Sequence, residues 1–462
     1  MTRRDLSREK MIAWLICQMI LFFMFSMFLL GVSRTGAEAE ALPAVQLPER
    51  LTVEEALRLF RAYGLDLLIA EAAIDSAEGD LRIAGSIQNP NWTAGMYQSY
   101  FSPGLFESDR GWFFGIGDSA AVFDALSGKR SLRLKVARSA LQSTKLARVD
   151  VQRNLEFALK QQYIQTVLAR NALIFSLDVQ KSMTQTFELT QTRYKAGAIS
   201  EADEARIEVA KLEADQAVRL AEQALRTNKV ALAFLLGVRE VVPDYDVEQS
   251  LPKYLVPSVL SLATVSSLVG DAFSNRPDLK SQDYQRDRAE ASIRLAKRLR
   301  FPDVSLNLQY SQEGSSHGKE ITNASPIAPL TPPTIQLSIS SAFPIFYQQQ
   351  GEIQKAKADL RTQDLQYNKL RAQVISDVET AHANFITTQG LVETMEGRLL
   401  DRAQRARDLT EFQYKKGAAS LLDFLDAQRT YIATNIEYLQ DLTNYWIAVF
   451  QLEQAVGMEL NR

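Results

Sequence analysis

At 462 residues the chain is about three times the size of a typical single domain, so it holds two or three domains or one elongated architecture. Hydrophobic residues at 46% and charged residues at 23% exclude wholesale disorder, and 52 Lys and Arg against 55 Asp and Glu give a net charge of −3, without the basic excess that nucleic-acid binding uses. Two histidines, His317 and His382, and one cysteine, Cys17, leave little for a zinc site, a Cys/His nucleophile pair or a disulfide framework, and no glycine-rich phosphate loop occurs. The chain is therefore not expected to be an enzyme, and no metal, cofactor or nucleic acid is expected.

The first segment is a targeting sequence. Arg3, Arg4, Arg8 and Lys10 precede an uncharged apolar run, Met11 to Val32, and Ala37-Glu38-Ala39 follows as a small-x-small string. This predicts a secretory signal peptide over 1–37. The run is also long enough to span a bilayer, so a permanent inner-membrane anchor for a periplasmic coiled-coil scaffold stands as the alternative. Cleavage would remove five positive and two negative charges, taking the net from −3 to −6.

Next come two segments rich in Trp, Tyr, Phe and Gly, Trp92 to Phe101 and Gly111 to Phe123, read as a β-hairpin. Beyond them no proline occurs between Gly104 and Val242, and none after Pro344. Those two gaps are where long helices can run. The first is predicted to hold a helical hairpin over about 128–237 that turns at Tyr194-Lys195-Ala196-Gly197. At about 1.5 Å per residue, the stretch from Gly128 to Gly197 would reach roughly 100 Å as one helix.

After a proline-marked linker, 243–265, the pattern recurs. Val304 to Ser311 and Ile335 to Ser340 alternate strictly between apolar and polar, with the long polar loop Glu313 to Thr334 between them. Val304, Leu306, Leu308 and Tyr310 form one face, suited to lipid; Ser305, Asn307, Gln309 and Ser311 form the other, suited to water. Trp92, Tyr97, Tyr100, Phe101, Trp112, Phe113, Phe114, Phe343, Phe346 and Tyr347 gather around these strands as an aromatic girdle would. A second helical hairpin over about 351–457 turns at Lys415-Lys416-Gly417-Ala418. Its first seam is Val374, Val378, Ala381, Phe385, Thr388, Val392, Met395 and Leu399. Its second is Leu422, Leu425, Arg429, Ile432, Ile436, Leu439, Thr443, Trp446 and Phe450. His382 flanks the first of these seams.

Tyr194 and Tyr414, Gly197 and Gly417, Ser200 and Ser420, and Asp203 and Asp423 all lie 220 residues apart. The chain thus reads as a tandem duplication, with repeats 38–242 and 266–462. Four strands are too few to close a barrel, and an open edge in lipid leaves backbone groups unpaired. If the strands enter a membrane, the chain must oligomerise, and three copies would supply twelve strands.

Two copies of Tyr-x-x-Gly-x-x-Ser-x-x-Asp, the second continuing as Asp423-Phe424-Leu425-Asp426-Ala427-Gln428-Arg429, resemble the TolC-like outer-membrane efflux channels. The likeness spans the mature chain, from an opening helix at Leu51 to Leu57 through Gly457. It implies a mainly α protein with membrane β: a homotrimer with a 12-stranded barrel in outer-membrane lipid, continued by a 12-helix periplasmic tunnel. The implied role is a passive duct of a tripartite efflux or type I secretion system, opened by a periplasmic adaptor and an inner-membrane pump. Tyr194, Gly197, Tyr414 and Gly417 would form the tip that meets the adaptor. Asp203, Asp423 and Asp426 would line the pore constriction, although Asp203 and Asp423 are equally explained as carboxylates near helix N-termini. Some members place an arginine between tip glycine and serine; here that position is Ala419, so the tip would rely on a Tyr414 to Asp203 hydrogen bond or be less firmly shut, unless Arg193 or Arg429 replaces that arginine.

Overall fold

The computed structural model describes residues 45–99, 109–248, 250–258, 260, 263–313 and 333–460. The expectations for the signal peptide with Cys17, for Tyr100 and Phe101, and for most of the Glu313 to Thr334 loop with His317 lie outside the described residues.

The first half contains β1 (Arg50–Leu51), α1 (Val53–Tyr63), α2 (Leu65–Gly85), β2 (Asn91–Ser99), β3 (Asp109–Gly117), α3 (Ala121–Leu126), α4 (Lys129–Lys195) and α5 (Glu201–Leu235). The second contains β4 (Asp246–Val247), α6 (Val265–Asn275), α7 (Pro277–Arg298), β5 (Val304–Glu313), β6 (Thr334–Ser341), α8 (Gln350–Thr394), α9 (Leu400–Lys415) and α10 (Leu421–Val456). The 67 residues of α4 give a rod of about 100 Å.

Local chemistry sets the boundaries. Thr52 and Thr264 begin α1 and α6 with reciprocal caps, the Thr52 side chain accepting from the Glu55 amide and that of Thr264 from Ser267. Both helical tips end on a left-handed glycine, Gly197 at φ 69° and Gly417 at φ 78°. The amides of Ala198 and Ala418 then reach back to the carbonyls of Arg193 and Gln413, at 2.9 and 2.8 Å. These are Schellman closures, and they satisfy carbonyls that the helix end leaves open. β3 stops at Gly117, short of Phe123, because Asp118 accepts from the Ala120 amide and turns the chain into α3.

The first seam is buried from Val374 to Met395 apart from the half-buried Thr388, but Leu399 is 44% exposed. Between α8 and α9 lies a π turn, Met395–Leu399, which takes up one residue more than an α turn would. The stripe therefore resumes one position late, at Leu400, Ala403, Arg407 and Tyr414. The second seam differs as well. Leu422, Arg429 and Ile436 are exposed, and the buried stripe near the tip is Leu421, Phe424, Leu425 and Gln428. The Ser420 cap sets this rotation, which lays the Phe424 ring on that of Tyr414 with centroids 5.7 Å apart.

This phase shift carries a prediction. Deleting Gly397 should turn the π turn into a regular one and leave Ala403 and Tyr414 inward, at a cost below about 1 kcal/mol. Deleting Gly390 instead should carry Val392 and Met395 out of the seam and cost about 3 kcal/mol or more. Thermal melts of the two deletion variants would check this; similar losses in both would refute it.

One apolar core joins both halves. Leu51 on β1 and Val247 on β4 pair in parallel and pack with Phe60, Tyr163, Leu232, Phe385, Tyr445 and Trp446. Gly237 ends α5 beside this core at φ 84°, where a Cβ would lie 2.2 Å from the Tyr63 carbonyl oxygen. Only glycine fits both conditions there.

Candidate functional site

Two surfaces stand out: the four-stranded sheet and the paired helical tips. The sheet is antiparallel throughout, in the order β2-β3-β5-β6, so β2 and β6 are its two edges. Register sorts its side chains onto two faces. Across one run Trp92, Ile116, Leu308 and Leu337 stand side by side; Ala94, Phe114, Tyr310 and Ile335 form another such row. Trp112 and Tyr310 pack with ring centroids 5.3 Å apart. Most of these large apolar groups are exposed, as are Phe343, Ile345 and Phe346 just past β6. A contiguous apolar face of this size demands a covering.

The opposite face carries Asn91, Thr93, Ser305, Asn307, Gln309, Gln336 and Ser338. Tyr97 and Phe113 belong to this face too, so they are not part of the expected girdle. Their rings lie over glycines: a Cβ on Gly95 would meet the Phe113 ring at 2.6 Å, and one on Gly111 the Tyr97 ring at 2.4 Å. Among the described residues, no helix is long and apolar enough to cross a membrane.

At the tip, α4, α5, α9 and α10 share a small core of Val179, Met183, Ile207, Tyr414, Leu421 and Phe424. Tyr414 is buried there, whereas its counterpart Tyr194 is exposed. The Tyr414 hydroxyl shares a hydrogen bond of 2.8 Å with Thr190 Oγ1, and not with Asp203. Arg193 supplies the second tie between the hairpins. Its Nη1 and Nη2 donate to the carbonyls of Tyr414 at 3.2 Å and Lys415 at 3.0 Å, and its guanidinium lies 5.1 Å from the Tyr414 ring centroid. These carbonyls end α9, where a cation is favoured by the helix dipole. Arg429 is exposed and has no ion pair or hydrogen bond among the described residues.

The three acidic candidates fall in two environments. Asp203 and Asp423 both stand in the first turn of helices capped by serine: each amide donates to the hydroxyl of the serine three residues earlier at 3.2 Å, and that hydroxyl donates back to the carboxylate. Asp203 also pairs with Arg206 at 3.3 Å. The Ser420 hydroxyl, followed by its backbone amide, holds the Asp423 carboxyl below the usual carboxylate range. Asp426 is exposed one turn further along α10 and has no side-chain partner among the described residues. Thr190 escaped the sequence reading, because nothing in its spacing marks it as facing the other hairpin. His382 is half-buried beside Ala381, on the helix flank.

Residues 57–238 and 268–458 match the family described as outer membrane efflux protein. The chain belongs to the outer membrane efflux protein family. It is 22% identical over 441 residues to the cobalt-zinc-cadmium resistance protein CzcC of Cupriavidus metallidurans, covering 94% of this chain and 97% of CzcC. It is 23% identical over 348 residues to the pyoverdine export outer membrane protein OpmQ of Pseudomonas aeruginosa, covering 75% of this chain and 69% of OpmQ. The fold is similar to that of the Campylobacter jejuni CmeC outer membrane channel, with a TM-score of 0.71 at 15% identity, over 89% of this chain and 87% of CmeC. This efflux family protein is thus an outer-membrane transport component, and its family is one of ducts rather than enzymes. The anchored scaffold, the other reading of the N-terminal apolar run, finds no support in that membership.

Proposed function

We propose that three copies of this efflux protein join edge to edge into a 12-stranded barrel in outer-membrane lipid, and that their helical hairpins continue it as a 12-helix periplasmic tunnel. The observation that carries this reading is the four-stranded sheet with one face apolar along its middle rows, the other mainly polar, and β2 and β6 as its edges among the described residues. Every backbone group of a membrane sheet must find a partner, so such a sheet completes itself with further copies. In this reading residues 1–37 are a removed signal peptide, 38–242 and 266–462 are the two repeats, and 243–265 links them at the equator.

The duct is passive and hands specificity to its pump and adaptor. Relatives named for cobalt-zinc-cadmium resistance and for pyoverdine export carry chemically unlike cargoes, which suits a conduit that does not select. Tyr194, Gly197, Tyr414 and Gly417 form the tip that the adaptor meets. Asp203, Asp423 and Asp426 are repeated in each copy as carboxylate rings at the constriction, where crowded like charges attract cations and respond to a docking partner. Dense membranes separated from bacterial lysate and solubilised in mild detergent should yield a heat-resistant trimer cut near Ala37 to Ala41. A monomer in the inner membrane that retains Met11 to Val32 would overturn the reading.

Arg193 takes the part of the absent tip arginine by holding the ends of α4 and α9 together. Arg193→Ala should therefore raise the open fraction of the isolated trimer about tenfold, the worth of one charged hydrogen bond. Closed-state conductance in planar bilayers reads this out. An unchanged conductance would remove Arg193 from the latch.

A further inference from the structure

The end of the sheet nearest the helices is where β2 and β5 begin and β3 and β6 end. Large apolar side chains stand exposed at all four of these strand roots: Ile87 ahead of β2, Leu126 past β3, Phe301 ahead of β5 and Phe346 past β6, from 56% exposed at Phe301 to 96% at Phe346. Arg298 and Arg300 flank Phe301. The Nε of Arg298 donates to the Ser127 carbonyl at 2.5 Å, and its guanidinium lies 5.2 Å from the Phe301 ring centroid. The Nη2 of Arg300 donates to Gln348 Oε1 at 3.0 Å. Each arginine is thus moored to a neighbouring root by a single hydrogen bond, which leaves its other N–H groups for a further acceptor. Lys297 is exposed beside them.

The nearby acids are already engaged. Asp303 accepts from the buried Lys129 at 2.7 Å, Asp124 from both Nη groups of Arg133, and Glu352 from the Tyr347 hydroxyl at 2.5 Å. Asp118 accepts from the amides of Ala120 and Leu306. Among the described residues Lys297, Arg298 and Arg300 have no carboxylate partner. A rim that is both apolar and cationic matches the boundary of a bilayer, where acyl chains end and phosphates begin. The guanidinium fork fits phosphate and is less firmly hydrated than an ammonium.

We propose that this rim takes up anionic phospholipid of the periplasmic leaflet, with the Arg298 and Arg300 guanidinium groups on the headgroup phosphate and the apolar side chains against its acyl chains. A zwitterionic headgroup brings its own cation and gains less. The proposal rests on the reading that the sheet enters outer-membrane lipid.

The test reconstitutes the full chain in phosphatidylcholine vesicles that carry a trace of spin-labelled phosphatidylglycerol or spin-labelled phosphatidylcholine. Electron spin resonance gives the fraction of label immobilised on the protein. At low salt phosphatidylglycerol should associate about fivefold more strongly than phosphatidylcholine, the effect of one basic side chain at a membrane surface. Molar salt should remove most of that preference. Arg298→Gln combined with Arg300→Gln should bring the two lipids to parity. Lys181→Gln combined with Lys195→Gln, an equal loss of charge far along α4, should leave the preference unchanged. Circular dichroism establishes that each variant is folded; if the arginine variant is not, the wild-type ratio and its salt dependence decide. Equal association of both lipids with the wild type, a preference kept by the folded arginine variant, or one lost from the lysine variant would overturn the proposal and leave the barrel standing. Failure to immobilise either lipid would overturn the membrane reading together with it.

Discussion

Leu337→Arg is expected to abolish the proposed heat-resistant trimer in the outer-membrane fraction, while Gln336→Arg, one residue away, leaves it intact. Leu337 lies mid-strand on β6, level with Leu308, Ile116 and Trp92 across the sheet. Gln336 is opposite Gln309 on the polar face. An arginine facing lipid near the bilayer midplane costs about 2–4 kcal/mol, and a symmetric assembly bears that cost once in every copy. An arginine on the polar face keeps its hydration. The neighbouring substitutions share size and charge, so a difference between them reports the face alone. Gel mobility of unheated membrane samples reads the outcome. Equal tolerance of both variants would mean that the apolar face does not meet lipid.

The second large effect is expected at the junction of α6 and α7. Arg276 is 4% exposed. It donates to Asp278 at 2.6 Å, to Asp377 at 2.9 Å and to the Ala455 carbonyl at 3.3 Å. It therefore ties the end of α6 to α8 and α10. Arg276→Met keeps much of the side-chain volume but leaves Asp278 in the interior without its main counter-charge. Breaking a buried pair from one side costs about 3–5 kcal/mol. Denaturant midpoints of the wild-type and variant proteins would show it, and a change below about 1 kcal/mol would refute it.

The same group sets a pH dependence. Burial alone would push the Asp278 carboxyl up; the hydrogen bonds and charge of Arg276, with Arg153 and the Leu279 amide, more than reverse this and hold it below the usual carboxylate range. A carboxyl depressed on folding gives stability that is complete above its unfolded pKa, near 4. That stability is lost as pH falls through the lower folded value. The wild type should thus be insensitive to this group between pH 7 and 5 and weaken below about pH 4. In Arg276→Met burial prevails, Asp278 takes up a proton more readily folded than unfolded, and stability should rise as pH falls from 7 to 5. Arg153, 3.9 Å from Asp278, limits the size of that recovery.

Periodicity revealed whatever a single element decides for itself. The alternation of Val304 to Ser311 fixed both faces of β5, and the turn glycines Gly197 and Gly417 fixed where the long helices end. Contacts between elements were beyond its reach. A one-residue insertion such as the π turn at Met395–Leu399 leaves no mark in composition, so the seam slipped from Leu399 to Leu400. Trp, Tyr and Phe near a strand look alike whichever face they take, so Tyr97 and Phe113 were placed with Trp92 and Trp112. At the tip, the duplicated motif pointed to Tyr414, Asp203 and Asp423, but the partner of Tyr414 depended on how the two hairpins meet. Thr190 entered only through packing. The buried Arg276 cluster likewise joins residues from three distant parts of the chain, with no spacing rule to announce it.

The strand order has an arithmetic consequence. Each copy contributes an even number of strands, and β2 and β6 at its two borders run in opposite directions. When β6 of one copy meets β2 of the next, the junction is antiparallel like all the pairs within a copy. Backbone pairing is therefore equally content with a ring of two, three or four members. In the proposed assembly the head count is therefore left to the wedge angle of each copy and the side-chain packing of its long rods.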